Sequence, residues 1–282
     1  MNTLSDEKIK KLKLKANEIR KSIIRMLYSA GSGHTSGPLG MADIFALLYF
    51  HTLNHDPKKP YWEDRDRLIL SNGHICPVLY ASMAHAGYFE IEELETLRKF
   101  GSRLQGHPHR EYLPYLETSS GPLGEGLSQA VGMAIAEKIN IINSTKTFYC
   151  IISDGELNEG QTWEAFMLAN KYKLGNLIII LDRNNIQISG FTEDVIPLNN
   201  LVHKFLAFNL DVHEVDGDNF IEINNAIEKS KEIINKPSII IAHTIPGYGV
   251  KGFENNYHWH GVTPNKEQAK QALLELDENI NA

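Results

Sequence analysis

Thr147-Phe148-Tyr149-Cys150-Ile151-Ile152-Ser153-Asp154-Gly155 is a β-branched and aromatic run that ends in an acidic residue and a glycine. It shows no alternation of polar and apolar side chains over Thr147–Ser153, so both faces of the strand need cover, as in the middle of a parallel sheet. Working outward, Leu177–Leu181 is a second run of the same kind, and the segment between them predicts a helix from about Gln161 to Leu174. Arg67–Leu70 reads as a short buried strand that ends at Ser71-Asn72-Gly73-His74, before a helix to about Gly87. Val212–Val215 and Ser238–Ala242 predict two further strands, with a helix from about Asn219 between them. Apolar residues at Ile9, Leu12, Ala16, Ile19, Ile23, Met26 and Leu27 mark an N-terminal helix opened by Ser5 and stopped near Gly31. A Gly-rich loop follows over Gly31–Pro38, then an apolar helix from about Met41. Gly121-Pro122-Leu123-Gly124-Glu125-Gly126 precedes a helix expected to reach Ile142. Strands alternating with helices give an α/β fold, a parallel twisted sheet flanked by helices on both faces. With no repeat and no linker, the expectation is one domain over residues 1–282.

Composition narrows the function class. The chain has 282 residues, 42% hydrophobic and 22% charged, enough for a sizeable core. A formal charge of -7 and a pI near 5.9 argue against a nucleic-acid binder. The basic run Lys8–Lys15 lies on an amphipathic helix and reads as a solvated face. The N-terminus has no apolar export segment, and no stretch approaches the roughly 20 apolar residues that span a bilayer. Cys76 and Cys150 sit in apolar surroundings without a CxxC spacing, which argues against disulfides or a zinc-thiolate site. The Asn143-Ser144-Thr145 sequon carries no meaning without export. A cytoplasmic protein with no membrane partner is expected.

The chemistry gathers where an open parallel sheet places ligands, beyond the carboxyl ends of its strands. His74 follows one strand, Asp154-Gly155 the next, and Asp182–Ile186 the one after. Asp154 supplies an anionic oxygen, Asn184 a side-chain carbonyl and Ile186 a backbone carbonyl. Such a set suits Mg²⁺, with Ca²⁺ or Mn²⁺ as substitutes, completed by phosphate oxygens. Gly155 lets the backbone approach that phosphate. Asp-Gly after a strand is by itself most often a turn; the second segment at the end of the neighbouring strand tells against that.

This two-part pattern resembles the thiamine-diphosphate motif of transketolase-like enzymes, with Ser153 in place of the usual leading glycine. Gly33-His34 with Gly37-Pro38-Leu39-Gly40-Met41, Ser71-Asn72-Gly73-His74 and Gly106-His107-Pro108 match that family in order. So do Gly121–Leu127, Asp154 through Glu159-Gly160, and Trp259-His260-Gly261, so the resemblance covers about residues 20 to 265.

The resemblance implies roles residue by residue. Asp154, Asn184 and the Ile186 carbonyl would hold the metal, while the Gly155 backbone, His74 and His260 would contact the diphosphate. Gly121, Leu123 and Gly124 would meet the cofactor's rings. His34 and His107, with His74 and His260, would line the reactive side and exchange protons with sugar hydroxyls. Glu159 would lie at a subunit interface and join the hydrogen-bond network there. The remaining histidines (His51, His55, His85, His109, His203, His213, His243, His258) read as structural or surface residues, His258 competing weakly with His260.

In the family this domain is followed by a pyrimidine-binding domain, whose glutamate drives cofactor activation, and by a C-terminal domain. Both are expected on a partner chain, a C-terminal transketolase subunit, in an α2β2 assembly. The implied activity is transfer of a two-carbon ketol unit from a ketose phosphate to an aldose acceptor through thiamine diphosphate and a divalent metal. Three alternatives stand beside it: a split enzyme for a branched or sulfonated ketose, a 1-deoxyxylulose-5-phosphate-synthase-like subunit, and a non-catalytic cofactor-binding partner. Trp259-His260-Gly261 and His107-Pro108 favour transketolase over the synthase.

Overall fold

The computed structural model describes residues 4–141 and 144–279. The expected helix end at Ile142 and the sequon position Asn143 lie outside the described residues, as do Met1–Thr3 and 280–282. A five-stranded, wholly parallel sheet forms the middle layer, in the spatial order β1 (Arg67–Leu70), β2 (Phe148–Ser153), β3 (Leu177–Asp182), β7 (Ser238–His243), β6 (Asp211–Asp216). A separate antiparallel hairpin pairs β4 (Ile186–Gln187) with β5 (Gly190–Phe191).

Side-chain alternation sends the sheet's residues into two separate cores. Phe148, Cys150 and Ile152 with Ile179 and Ile241 pack beneath α5 (Glu125–Asn140), α6 (Gly160–Lys171) and α8 (Leu201–Ala207). Tyr149 and Ile151 with Ile180 and Ile240 pack against α1 (Asp6–Ala30), α3 (Ala42–Leu47), α4 (Cys76–Ala86) and α9 (Phe220–Lys231). Every residue of β2 and β3 is buried, which is why neither strand shows a polar period in the sequence. α10 (Lys266–Glu278) closes the chain against α1 through Ala269, Ala272 and Leu276.

The N-terminal helix begins at Ser5, whose hydroxyl accepts from the Lys8 amide, and ends at Gly31 in the left-handed region, as the spacing predicts. One segment differs from expectation. Ser36–Gly40, read as the end of a loop, forms the short helix α2, which leads into α3 and a π-turn over Leu48–Thr52. Pro38 is tolerated because it lies in the first turn, where its missing amide has no intrahelical acceptor to lose. Similarly, α5 starts at Glu125 inside the Gly121–Gly126 motif. Among the described residues no helix is long and apolar enough to cross a membrane.

At the carboxyl edge the first turn of α5 and the loop after β1 are packed backbone to backbone. A Cβ placed on Gly126 would come within 2.5 Å of the Ser71 Cα, an approach only glycine permits. Gly126→Ala should therefore lower stability by about 1–3 kcal/mol through overpacking, read as a lower urea midpoint. An unchanged midpoint would show that the two segments separate readily.

Candidate active site

The register of the sheet sets the site. Ser153 of β2 pairs with Asp182 of β3, and Asp182 with Ala242 of β7, so three strands end at one level. Asp154 therefore lies beside Arg183. Its Oδ2 accepts from Arg183 Nη1 at 3.2 Å and from the Asn185 amide at 2.8 Å. Asn185 adopts φ 64°, a left-handed turn that asparagine accommodates well, and this turn aims its N–H back at Asp154. Asn184 donates from Nδ2 to Asp182 Oδ2 at 2.8 Å, and its Oδ1 accepts from the Ile186 amide at 3.0 Å.

Burial dominates the charges here. It raises the Asp154 carboxyl to about 6, against the lowering pull of the Arg183 guanidinium. It raises Asp182 to about 7, assisted by the nearby Asp154 charge and opposed by donation from the Thr244 hydroxyl. A divalent ion beside these carboxylates would favour their ionised forms. Among the described residues no three His, Cys, Asp or Glu side chains cluster as a metal site. An ion held here would thus rely on one carboxylate and neutral carbonyl oxygens, a hard-cation donor set.

Four histidines from four separate segments meet in one group. His34 lies 5.0 Å from His74 and 5.5 Å from His260 between ring centroids, with His107 at 6.5 Å. His74 and His260 are 5.3 Å apart. Imidazoles this close cannot all carry charge. Burial first, then repulsion from His260, Arg98 and His107, lowers His34 to about 4. Burial also lowers His74 well below the ordinary range, and lowers His260 and the more exposed His107. The cluster is therefore neutral at physiological pH, each ring having one nitrogen that accepts and one that donates.

Gly121 borders the His107 ring at 3.8 Å as measured from an ideal Cβ. Gly124 stands at φ 84° as the residue before α5, and the Leu123 carbonyl accepts from Gln161 Nε2 at 2.7 Å. Glu159 is exposed at the start of α6. Gly155 has no side-chain neighbour closer than Gln187, 3.8 Å from an ideal Cβ. His258 is exposed and lies against Tyr257, outside the cluster, which leaves His260 as the member from this segment. His55, His85, His213 and His243 are held by Tyr49, Ser22, Asp211 and Glu214 respectively.

Among the described residues, several buried polar atoms without a protein partner lie in the Gly-rich segments: His34 Nδ1, Ser36 Oγ, both amide atoms of Asn72 and Ser120 Oγ. Others, such as Thr52 Oγ1, Tyr149 Oη and Ser230 Oγ, lie elsewhere in the fold. Buried groups of this kind are almost always satisfied in working proteins. Those in the Gly-rich segments fit a polar ligand seated among them.

Two contributors escaped the sequence reading. Glu156 is fully buried; its Oε1 accepts from the Ser71 hydroxyl and from the Gly124 amide at 2.7 Å, and its Oε2 accepts from the Ser153 amide at 2.8 Å. It ties three cleft segments together. Ser153-Asp154-Gly155-Glu156 carries the capping-box spacing that could have revealed it. Arg183 carried no such signal, because its neighbours Asp154, Thr192 and Glu193 come together only in the fold.

Two measurements test this geometry. Glu156→Ala leaves three buried donors unmatched and should cost about 3 kcal/mol or more of unfolding free energy in urea. An effect below about 1 kcal/mol would mean the three segments are held together by other contacts. His34 is held neutral in the native state, whereas the unfolded chain takes up its proton near 6.5. Its contribution to stability is present above pH 6.5 and is lost as pH falls toward about 4. In His34→Asn the loss of stability between pH 7 and pH 5 should be shallower than in the wild type by about 1 kcal/mol, a value reduced because the ring keeps some water contact. Parallel profiles would show that His34 is free to protonate.

Residues 11–277 match the family model described as "Transketolase, thiamine diphosphate binding domain". The chain is 41% identical over 266 residues to the 6-deoxy-6-sulfo-D-fructose transketolase subunit SqwG of Clostridium sp. (strain MSTE9), covering 94% of this chain and 96% of that protein. It is 38% identical over 272 residues to an apulose-4-phosphate transketolase subunit from Phocaeicola vulgatus, covering 96% of each. The crystal structure of transketolase from Campylobacter jejuni superposes with a TM-score of 0.87 at 36% identity, over 94% of this chain and 42% of that one. The sheet register, the four converging histidines and the Asp154–Asn184 edge thus lie in a chain that belongs to the transketolase family, as its thiamine-diphosphate-binding domain.

Proposed function

We propose that this chain is the N-terminal subunit of a two-chain transketolase, a transferase that moves a two-carbon ketol unit from a ketose phosphate to an aldose acceptor. The observation that carries the reading is the cluster of four neutral histidines, together with a carboxylate and amide edge after β2 and β3 of the parallel sheet. The two-chain assignment draws support from relatives named as transketolase subunits, which the chain matches over 96% of their length, against 42% of the Campylobacter chain. A partner carrying the pyrimidine-binding and C-terminal domains would complete the enzyme, in an α2β2 assembly.

The residues fit the cofactor. Asp154, the Asn184 side chain and the Ile186 carbonyl would hold Mg²⁺, with Ca²⁺ or Mn²⁺ able to replace it. The Gly155 backbone, His74 and His260 would contact the diphosphate, and Gly121, Leu123 and Gly124 the rings. When bound, thiamine diphosphate supplies the carbon nucleophile that accepts and releases the ketol unit. The chain's own part is acid–base and positional. His34 and His107, with His74 and His260, accept and donate protons at the sugar's carbonyl and hydroxyl oxygens, and the lowered pKa values keep these rings neutral and ready to accept. The exposed Glu159 carboxylate is available to a partner at the subunit interface. The site works in the cytoplasm, where thiols such as Cys76 and Cys150 stay reduced.

A second reading of the donor has its own support: both subunit relatives are named for less common sugars, 6-deoxy-6-sulfo-D-fructose and apulose 4-phosphate. Ketol transfer to ribose 5-phosphate should be measured with xylulose 5-phosphate and with 6-deoxy-6-sulfofructose, for this chain, its partner and the mixture. Activity is expected only in the mixture, and Asp154→Ala should reduce it at least about 100-fold. Full activity of the isolated chain would overturn the two-chain reading, and preference for the sulfonated donor would decide the substrate class.

A further inference from the structure

Arg183 is almost fully buried, with its side chain 9% exposed, and it has no place among the roles drawn from the family motifs. We propose that Arg183 is a positioning residue that couples the metal-holding carboxylate of Asp154 to the segment 185–199. The proposal rests on the cofactor reading for the role of Asp154, but not for the mechanical link to the segment.

The guanidinium sits between two structures. Toward the sheet, Nη1 donates to Asp154 Oδ2 at 3.2 Å. Toward the segment, Nη1 also donates to Thr192 Oγ1 at 2.8 Å, and Nη2 donates to Glu193 Oε1 at 2.8 Å. Glu193 extends the reach by accepting from the Leu198 amide at 3.2 Å and the Asn199 amide at 3.3 Å. One side chain thus links the end of β2 to the middle of the segment and, through Glu193, to its far end.

The segment needs such a link. Its own secondary structure is two strands of two residues and the single turn α7 (Thr192–Val195), too short to hold a shape alone. It also exposes apolar side chains, Ile188 at 75% and Ile196 at 54%, so its burial is confined to a few positions such as Ile186, Thr192 and Leu198. Ile186, the expected carbonyl ligand, opens this segment, so whatever fixes the segment also fixes that carbonyl.

The same contacts orient the carboxylate. Arg183 and the Asn185 amide both donate to Oδ2, so Oδ1 is the oxygen that neither claims and that a metal would meet. Asp154 is buried at 1% side-chain exposure, and the Arg183 guanidinium offsets the charge of its ionised form there. Lysine could supply the charge but not the planar fork that reaches three acceptors at once.

The test is hydrogen exchange on the full chain, wild type against Arg183→Gln and Glu193→Ala, with Mn²⁺ binding in the presence of thiamine diphosphate followed by electron paramagnetic resonance on each chain assembled with its partner subunit. Arg183→Gln should speed exchange across 186–199 at least about tenfold while β2 and β3 keep their protection. It should also weaken Mn²⁺ binding about tenfold. Glu193→Ala, at a half-exposed side chain that the core does not need, should speed exchange over 196–199 and leave Mn²⁺ affinity within about threefold. Unchanged exchange over 186–199 in Arg183→Gln overturns the coupling, as does unchanged exchange over 196–199 in Glu193→Ala should the first variant not fold. A wild-type complex with the partner subunit that binds no Mn²⁺ with thiamine diphosphate would instead reject the cofactor reading, and the exchange data would still decide the link.

Discussion

The parallel ladder between β2 and β3 is the constraint on which the site depends. Both strands are buried along their whole length, so neither can slip by one residue without exchanging the side chains of two cores. That fixed register ends both strands at the same level, Ser153 opposite Asp182. The residues that follow must leave the sheet there, and the polar groups of Asp154, Arg183 and Asn184 meet because the apolar groups behind them cannot move.

Charge at this edge is managed by different means in its two halves. Around Asp154 and Asp182 buried carboxylates accumulate, countered by one guanidinium and by amide donors, with both carboxyl groups pushed upward. Around His34 and His74 the groups are bases, and burial together with mutual repulsion pushes them downward into the neutral form. An edge poor in net charge before a ligand arrives suits an incoming metal–diphosphate pair, whose own charges then largely balance each other. Glu156 carries no such role. It spends its carboxylate on three donors from three segments and keeps the loops in contact.

Much of this was legible in the chain itself. The strands could be read because burial on both faces demands an unbroken apolar run, and the Gly-rich loops because close backbone approach excludes side chains, as at Gly126 against Ser71. His34, His74, His107 and His260 were picked out by their motifs, and the structure brings them together. The boundary at Ser36 was misplaced because glycine and proline argue for a loop, while tertiary packing buries Ser36–Gly40 completely as a helical turn.

The elements, their parallel arrangement and the identity of the residues that border the cleft follow from local pattern, since hydrophobic periodicity and glycine placement act over short stretches of chain. Which polar groups became neighbours depends on the fold. Arg183 meets Asp154 across two strands, and Glu156 meets Ser71 across 85 positions. Such pairings follow from register and loop closure, which act over distances along the chain that no local pattern encodes.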